Sequence, residues 1–276
     1  MSNLTVSLLQ TPLFWEDKLS NLNMLEKKIL AIPEKTEVVI LPEMFSTGFS
    51  MHAAALAETM DGPSVNWMKK IAAQKKCILT GSLIIKETQN GEPVFFNRLI
   101  WMQPDGHSGF YDKRHLFAYG KEQQHFTAGN RRLIASVKGW KINLQVCYDL
   151  RFPVWLRQSN SPDSLTGRKD QEEPVYDLLI VVANWPSTRI HAWKTLLQAR
   201  AIENQCFVIG VNRTGVDGNG LVYTGDSMIA GPLGEILHSL SEKENTLTFT
   251  LNKEITETVR SEFPFWKDAD HFSIQP

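Results

Sequence analysis

The stretch Ile142-Asn143-Leu144-Gln145-Val146-Cys147-Tyr148-Asp149-Leu150-Arg151-Phe152-Pro153 decides how this 276-residue chain is read. Its first five residues form a short apolar run of the kind that lies buried in a sheet. The thiol of Cys147 follows, and the chain then turns through polar residues toward a helix expected over Phe152 to Gln158. A cysteine at such a strand-to-helix corner is open on one side. It is also flanked by free backbone N–H groups, and the N–H of Tyr148 stands where it can stabilise an oxyanion. Free cysteine is more commonly a buried core residue, so position alone leaves both readings open. Cys77 and Cys206 instead open apolar runs and read as core residues.

Outward from this corner, short apolar runs alternate with longer amphipathic ones. Strands are expected at Leu4 to Gln10, Val38 to Leu41, Ile78 to Ile85, Phe95 to Met102, Ile142 to Val146, Leu178 to Ala183 and Phe207 to Asn212. Helices are expected at Asp17 to Ala31, Ser64 to Lys75 and His191 to Asn204, besides the one after Cys147. In His191 to Asn204, Ala192, Leu196, Ala199 and Ile202 recur at helical spacing. Pro104-Asp105-Gly106, Asp217-Gly218-Asn219-Gly220 and Gly231-Pro232-Leu233-Gly234 read as tight turns between strands. The polar segment Ser159 to Pro174 reads as a surface loop within one domain, since strand-like sequence resumes at once. The alternation argues for a layered α/β domain spanning 1–276.

The bulk properties narrow the function. Apolar residues make up 42% of the chain and charged residues 21%, a globular balance. The 29 basic and 30 acidic side chains nearly cancel, so there is no basic field for a nucleic-acid backbone. No apolar run is long enough for a membrane span, and Met1 to Gln10 reads as a first strand rather than a signal peptide. Three scattered cysteines make neither a disulfide framework nor a zinc knuckle, which fits a cytoplasmic protein with reduced thiols. The seven histidines have no metal-binding or triad-like spacing, and His115, His125 and His191 read as polar loop or helix residues. No metal or organic cofactor is expected.

Two further residues stand where chemistry could use them. Glu43 follows the run Val38-Val39-Ile40-Leu41-Pro42, beyond the carboxyl end of a strand, where open α/β sheets place their ligands. Apolar neighbours would help it act as a general base near neutral pH. Lys113, in Phe110-Tyr111-Asp112-Lys113-Arg114-His115-Leu116-Phe117, could donate to a developing oxyanion and lower a nearby thiol's pKa. Taken alone, each is better read as a solvated loop residue.

Together, three blocks resemble the nitrilase superfamily of carbon–nitrogen hydrolases: Leu41-Pro42-Glu43-Met44-Phe45, Tyr111-Asp112-Lys113-Arg114-His115-Leu116-Phe117 and Val146-Cys147-Tyr148-Asp149-Leu150-Arg151-Phe152-Pro153. They occur in the family's order. Phe96-Asn97-Arg98, Asn184-Trp185-Pro186, Gln198 to Gln205, Gly225-Asp226-Ser227 and Pro232-Leu233-Gly234-Glu235 extend the match over nearly the whole chain. The resemblance implies a nitrilase-type four-layer αββα sandwich and a Glu–Lys–Cys triad of Glu43, Lys113 and Cys147. It adds Glu122 as a second glutamate that orients Lys113 or a substrate amide. It also implies pairing into a homodimer through helices near the cysteine, with a C-terminal arm at about 260–276 that wraps the partner. Cys147 to Phe152, Asn184 to Arg189 and Glu262 to Asp270 resemble the omega-amidase branch. That branch hydrolyses the terminal amide of 2-oxo dicarboxylic monoamides such as 2-oxoglutaramate and 2-oxosuccinamate. Such a substrate needs a cationic anchor. Arg189 is the preferred candidate over Arg151, which is also placed for a structural ion pair, and Phe117 and Trp185 would supply apolar walls. Alternatives are an N-carbamoyl amine or other aliphatic amide hydrolase with the same triad, and a catalytically silent binding protein on the same fold.

Overall fold

The computed structural model of the chain describes residues 2–158, 174–270, 272 and 274. The loop expected at Ser159 to Pro174 lies outside the described residues except for Pro174. The chain begins with β1 (Asn3–Gln10), α1 (Lys18–Leu30), β2 (Val38–Ile40), α2 (Ala53–Leu56) and α3 (Pro63–Lys75). It continues through β3 (Ile78–Gln89), β4 (Glu92–Met102), β5 (Ser108–Asp112), β6 (Ile134–Val137), β7 (Trp140–Val146) and the short α4 (Pro153–Leu156). After β8 (Leu178–Ala183), α5 (Ile190–Asn204) and β9 (Phe207–Asn212) come the small hairpin β10 (Thr214–Val216) and β11 (Val222–Thr224). The chain then forms β12 (Met228–Ala230), β13 (Ile236–Ser239), β14 (Asn245–Asn252) and α6 (Lys253–Glu262).

Two six-stranded sheets share one design. The first runs β14-β1-β2-β3-β4-β5 and the second β13-β12-β9-β8-β7-β6. In each, three central strands are parallel, β1-β2-β3 and β7-β8-β9, and the flanking strands pair antiparallel. Strands buried on both faces must be apolar at every position, which is why Val38-Val39-Ile40 and Leu178 to Ala183 show no alternation. The two faces still separate by parity. Val38 and Ile40 enter the core between the sheets, with Leu4, Val6, Leu8, Ile142, Leu144 and Val146. Val39 and Leu41 point the other way, against Leu22, Leu25 and Ile29 of α1 and Met68, Ile71 and Ala72 of α3. On the far side, Trp193, Leu197 and Ala201 of α5 pack on the second sheet. The layers are therefore helix, sheet, sheet, helix, the nitrilase-type αββα sandwich.

Two close approaches decide local sequence. A Cβ on Gly210 would stand 2.5 Å from Leu197 Cδ1 and 2.7 Å from Trp193, so only glycine lets α5 sit this close to β9. A Cβ on Gly81 would stand 2.8 Å from Leu41 Cβ and 2.8 Å from the Phe45 ring, both beside Glu43. Asp17, expected inside the first helix, is its N-cap: its carboxylate accepts from the Ser20 N–H at 3.0 Å.

One expected element is largely absent. Instead of a helix from Phe152 to Gln158, Cys147–Arg151 forms a 3-10 segment, followed only by the four residues of α4. The chain leaves the helix because Gln158 docks onto the end of α5. Its N–H donates to Asn204 Oδ1 at 2.9 Å, and its side chain bridges Asn204 and Tyr176. β5 is the strand that the turn at Pro104-Asp105-Gly106 implies, whereas β6, β14 and α6 are additional to the expected elements. β14 pairs with β1 over eight residues, and Thr246 to Leu251 alternates Thr with Leu and Phe as a half-buried strand does. α6 is held by Arg260, which reaches Asp177, Tyr176 O and Gln205 O. The following arm is tied to its own chain through the Gln205 side chain, which bonds Phe263 O and Trp266 N–H.

Candidate active site

The carboxyl ends of β2, β7 and β8 and the end of β5 converge on one cavity edge. Glu43 leaves β2 in a turn held from β3: Met44 N–H donates to Ser82 Oγ at 2.8 Å and Phe45 N–H to Ser82 O at 3.2 Å. Cys147 leaves β7 with φ +48°, in the left-handed region that non-glycine residues occupy at a cost of about 1–2 kcal/mol. That conformation turns the side chain off the strand line. Lys113 follows β5, and Glu122 comes from the 3-10 turn Glu122–Gln124.

Glu43, Lys113 and Glu122 are fully buried and mutually bonded. Lys113 Nζ lies 3.0 Å from Glu43 Oε1 and 3.0 and 2.9 Å from the two oxygens of Glu122. Asn97, from β4, donates to Glu43 Oε1 at 2.8 Å and to Glu122 Oε1 at 3.3 Å. Glu43 Oε2 accepts the Asn184 N–H at 2.8 Å, and the Asn184 carboxamide donates to Glu43 O at 2.5 Å. Glu122 is fixed further by the Phe117 N–H at 2.6 Å. Both carboxylates therefore face only donors.

The charges explain one another. Burial works against the Lys113 ammonium, but the adjacent Glu122 and Glu43 carboxylates outweigh it and hold its pKa above 10.5. Burial raises Glu122, with Lys113 opposing and Glu43 reinforcing the rise. The Cys147 thiol is pushed well above its ordinary 9.0, first by burial, then by the Glu43 carboxylate beside it, against the pull of Lys113. That shift favours the thiol over the thiolate. The N–H of Tyr148 lies in the first turn of the 3-10 segment, where backbone donors have no partner within the segment.

Cys147 and Tyr148 form one wall of a cavity of about 440 Å³. Phe117, Trp185, Arg151 and Arg189 form others, and Trp15, His52 and Tyr223 stand around it. The Arg151 guanidinium lies 5.0 Å from the Trp185 ring centre and that of Arg189 5.2 Å from Phe117. Neither has a carboxylate within ion-pair distance among the described residues, so the structural ion pair considered for Arg151 is not formed. Every residue singled out in the sequence for this site thus meets at one place. Asn97, Asn184 and Asp149 were not assigned roles there. Asn97 carried a signal, since an amide in the middle of the apolar strand Phe95 to Met102 must find polar partners.

A buried carboxylate–ammonium–carboxylate cluster thus stands behind a cavity-lining thiol. A family model described as carbon-nitrogen hydrolase matches residues 5–260. Omega-amidase YafV of Escherichia coli K12 is 42% identical over 275 residues, covering 99% of this chain and 100% of that protein. The 2-oxoglutaramate amidase of Bacillus subtilis is 28% identical over 267 residues, 96% of each. Among solved structures, XC1258 from Xanthomonas campestris, a CN-hydrolase superfamily protein with an arsenic adduct in its active site, superposes with a TM-score of 0.92. It is 43% identical and covers 100% of both chains. Nit3 of Saccharomyces cerevisiae, from branch 10 of the nitrilase superfamily, gives a TM-score of 0.79 at 25% identity, with 95% of this chain covered and 94% of Nit3. The chain belongs to the carbon–nitrogen hydrolase family, within the nitrilase superfamily.

Proposed function

We propose that this protein hydrolyses the terminal amide of small 2-oxo dicarboxylic monoamides, such as 2-oxoglutaramate and 2-oxosuccinamate, to the acid and ammonia. The observation that carries the reading is the pairing, in one cavity, of Cys147 and its buried carboxylate cluster with two guanidiniums that no carboxylate neutralises among the described residues. Buried or half-buried cations without counter-ions favour an anionic ligand. The names of the E. coli and B. subtilis relatives point the same way.

In this reading Glu43 is the general base. Its Oε1 already accepts two donors, whereas Oε2 accepts only the Asn184 N–H and keeps a lone pair for the thiol proton. The sulfur attacks the amide carbon as the proton moves to Glu43. The oxyanion forms between Lys113 Nζ and the Tyr148 N–H. Lys113 exchanges one of its contacts with Glu122 for this oxygen, so its charge is held in place before the anion exists. Protonated Glu43 returns the proton to the leaving nitrogen, and ammonia departs as the C–N bond breaks. Water, deprotonated by Glu43, then cleaves the thioester to the carboxylic acid and restores the thiol. Arg189 binds the distal carboxylate, with Arg151 beside it, and Phe117 and Trp185 enclose the carbon chain.

Ammonia release from 2-oxoglutaramate and 2-oxosuccinamate is the test, with Cys147→Ala beside the wild type. Release that disappears in the variant supports the reading. Release from simple amides or carbamoyl amines only, the latter with carbon dioxide, assigns the same site to the alternative substrates.

A further inference from the structure

The structure ties the loop that carries Lys113 to the turn that carries Cys147 through one buried carboxylate. Asp149 lies two residues after Cys147 and is fully buried. It accepts four hydrogen bonds, and three come from the lysine loop. Tyr111 Oη donates to Oδ2 at 2.8 Å, and the backbone N–H and ring Nδ1 of His115 donate to Oδ1 at 2.9 and 2.8 Å. The fourth is the Val146 N–H at 3.2 Å, which bends the turn back on itself around Cys147. His115 lies two residues after Lys113. Because its partner is a carboxylate oxygen, Nδ1 carries the proton. The ring stacks on Phe152 with centroids 3.8 Å apart and planes 5° apart, so it is clamped by the cysteine turn on its face as well as its edge. Tyr111 is held in turn by the Trp155 indole N–H at 3.1 Å.

We propose that the His115–Asp149 pair is a positioning device that sets the separation of the two oxyanion donors, Lys113 Nζ and the Tyr148 N–H. One donor belongs to each of the two joined segments, and the left-handed Cys147 stands just past Val146, the last residue of β7 paired to β8. The donors act on the oxygen only as its charge develops, so a small error in their spacing weakens the transition state more than the bound substrate. Substrate binding rests on the cavity walls, to which neither His115 nor Asp149 contributes. The inference rests on the proposed roles of Cys147 and Lys113.

The test separates the two halves of the contact. His115→Phe keeps the stacked ring and loses the Nδ1 hydrogen, whereas His115→Asn keeps a donor near that place and loses the stack. Steady-state ammonia release from 2-oxoglutaramate is measured for both, beside Cys147→Ala and the wild type, or from the simple amide that the wild type turns over if it rejects this one. His115→Phe is expected to lower kcat about 10- to 100-fold with KM within about twofold, and His115→Asn to stay within about fivefold of the wild type. His115→Ala is carried alongside, so that a folding failure of the phenylalanine variant, seen by circular dichroism, leaves a second measurement of the lost bond. Wild-type kcat in His115→Phe or His115→Ala overturns the inference, as does an asparagine variant as impaired as the phenylalanine one. Turnover that survives in Cys147→Ala would instead overturn the proposed function.

Discussion

Replacing Lys113 with methionine removes one charge from the most buried part of the molecule, and the structure gives the scale of the result. Lys113 Nζ stands about 3 Å from a carboxylate oxygen on either side, and all three side chains are fully buried. At that separation and an effective dielectric of about 20, each pair attracts by roughly 5 kcal/mol before the cost of removing the charges from water. The measurable quantity is smaller, because methionine leaves two carboxylates without their cation. Breaking a buried pair in this way typically costs about 3–5 kcal/mol. At about 2–4 °C per kcal/mol for chains of roughly this size, melting should fall by roughly 6–20 °C at pH 7. The pH dependence identifies the cause. Glu122 is already raised above its ordinary 4.5 with the cation present, and losing Lys113 raises it further. A carboxyl raised on folding contributes stability below its unfolded pKa, and that contribution is lost as pH rises through the folded value. The gap between variant and wild type should therefore narrow from pH 7 to pH 5. Thermal melting by circular dichroism at the two pH values reads this directly, and amide turnover should drop by about 100-fold or more as an oxyanion donor disappears. An unchanged melting temperature, or a gap as wide at pH 5 as at pH 7, would refute the view that Lys113 compensates the buried charge of the two carboxylates.

Three further outcomes follow from the same geometry. Burial raises all three thiols, but Cys77 and Cys206 are closed off in the core whereas half-buried Cys147 lines the cavity, so iodoacetamide at neutral pH should modify Cys147 first; mass spectrometry showing equal labelling of all three would contradict this. Arg189→Met should raise KM for 2-oxoglutaramate by about tenfold or more, the worth of a charge-assisted contact, while leaving propionamide hydrolysis unaffected; equal losses on both substrates would remove the anchoring role. Gly81→Ala drives a Cβ into Leu41 and Phe45 on either side of Glu43, so it should cost about 1–3 kcal/mol in chemical denaturation and lower kcat as well; a wild-type denaturation midpoint would show that the turn can move aside.

The parts of the fold that were legible in sequence are those where burial leaves no choice. β2, β8 and β9 are covered on both faces, so their apolar runs announce them whatever surrounds them. β14 does carry the period-2 alternation of a half-buried strand over Thr246 to Leu251, but its pairing with β1 at the other end of the chain, where Thr250 and Thr248 meet Thr5 and Ser7, is a contact that no local pattern displays. The helix after Cys147 was misread for a similar reason. Leu156 and Trp155 carry a helical signal, but the competing docking of Gln158 on Asn204 is a tertiary contact that no local pattern displays.

The site was legible in order along the chain rather than in chemistry. Glu43, Lys113, Glu122 and Cys147 each look like an ordinary polar or core residue within its own segment. What changes their character is that the carboxyl ends of parallel strands from two different sheets open at the same edge. There each charge is stripped of water and must find its counter-charge on another segment. Glu43, Lys113 and Glu122 can be buried only together: remove any one and the remaining charges lose the partners that offset their desolvation. The same logic explains why Asn97, Asn184 and Asp149 escaped notice. They make no chemistry of their own, but each supplies hydrogen bonds that fix a neighbouring segment, Asn97 between the two glutamates, Asn184 behind Glu43, and Asp149 between the lysine loop and the cysteine turn. On the proposed mechanism a thiol that transfers its proton to Glu43 depends on such fixing. In that proposal proton transfer, attack and oxyanion capture must coincide in one geometry, and that geometry is assembled from four separate segments of the chain.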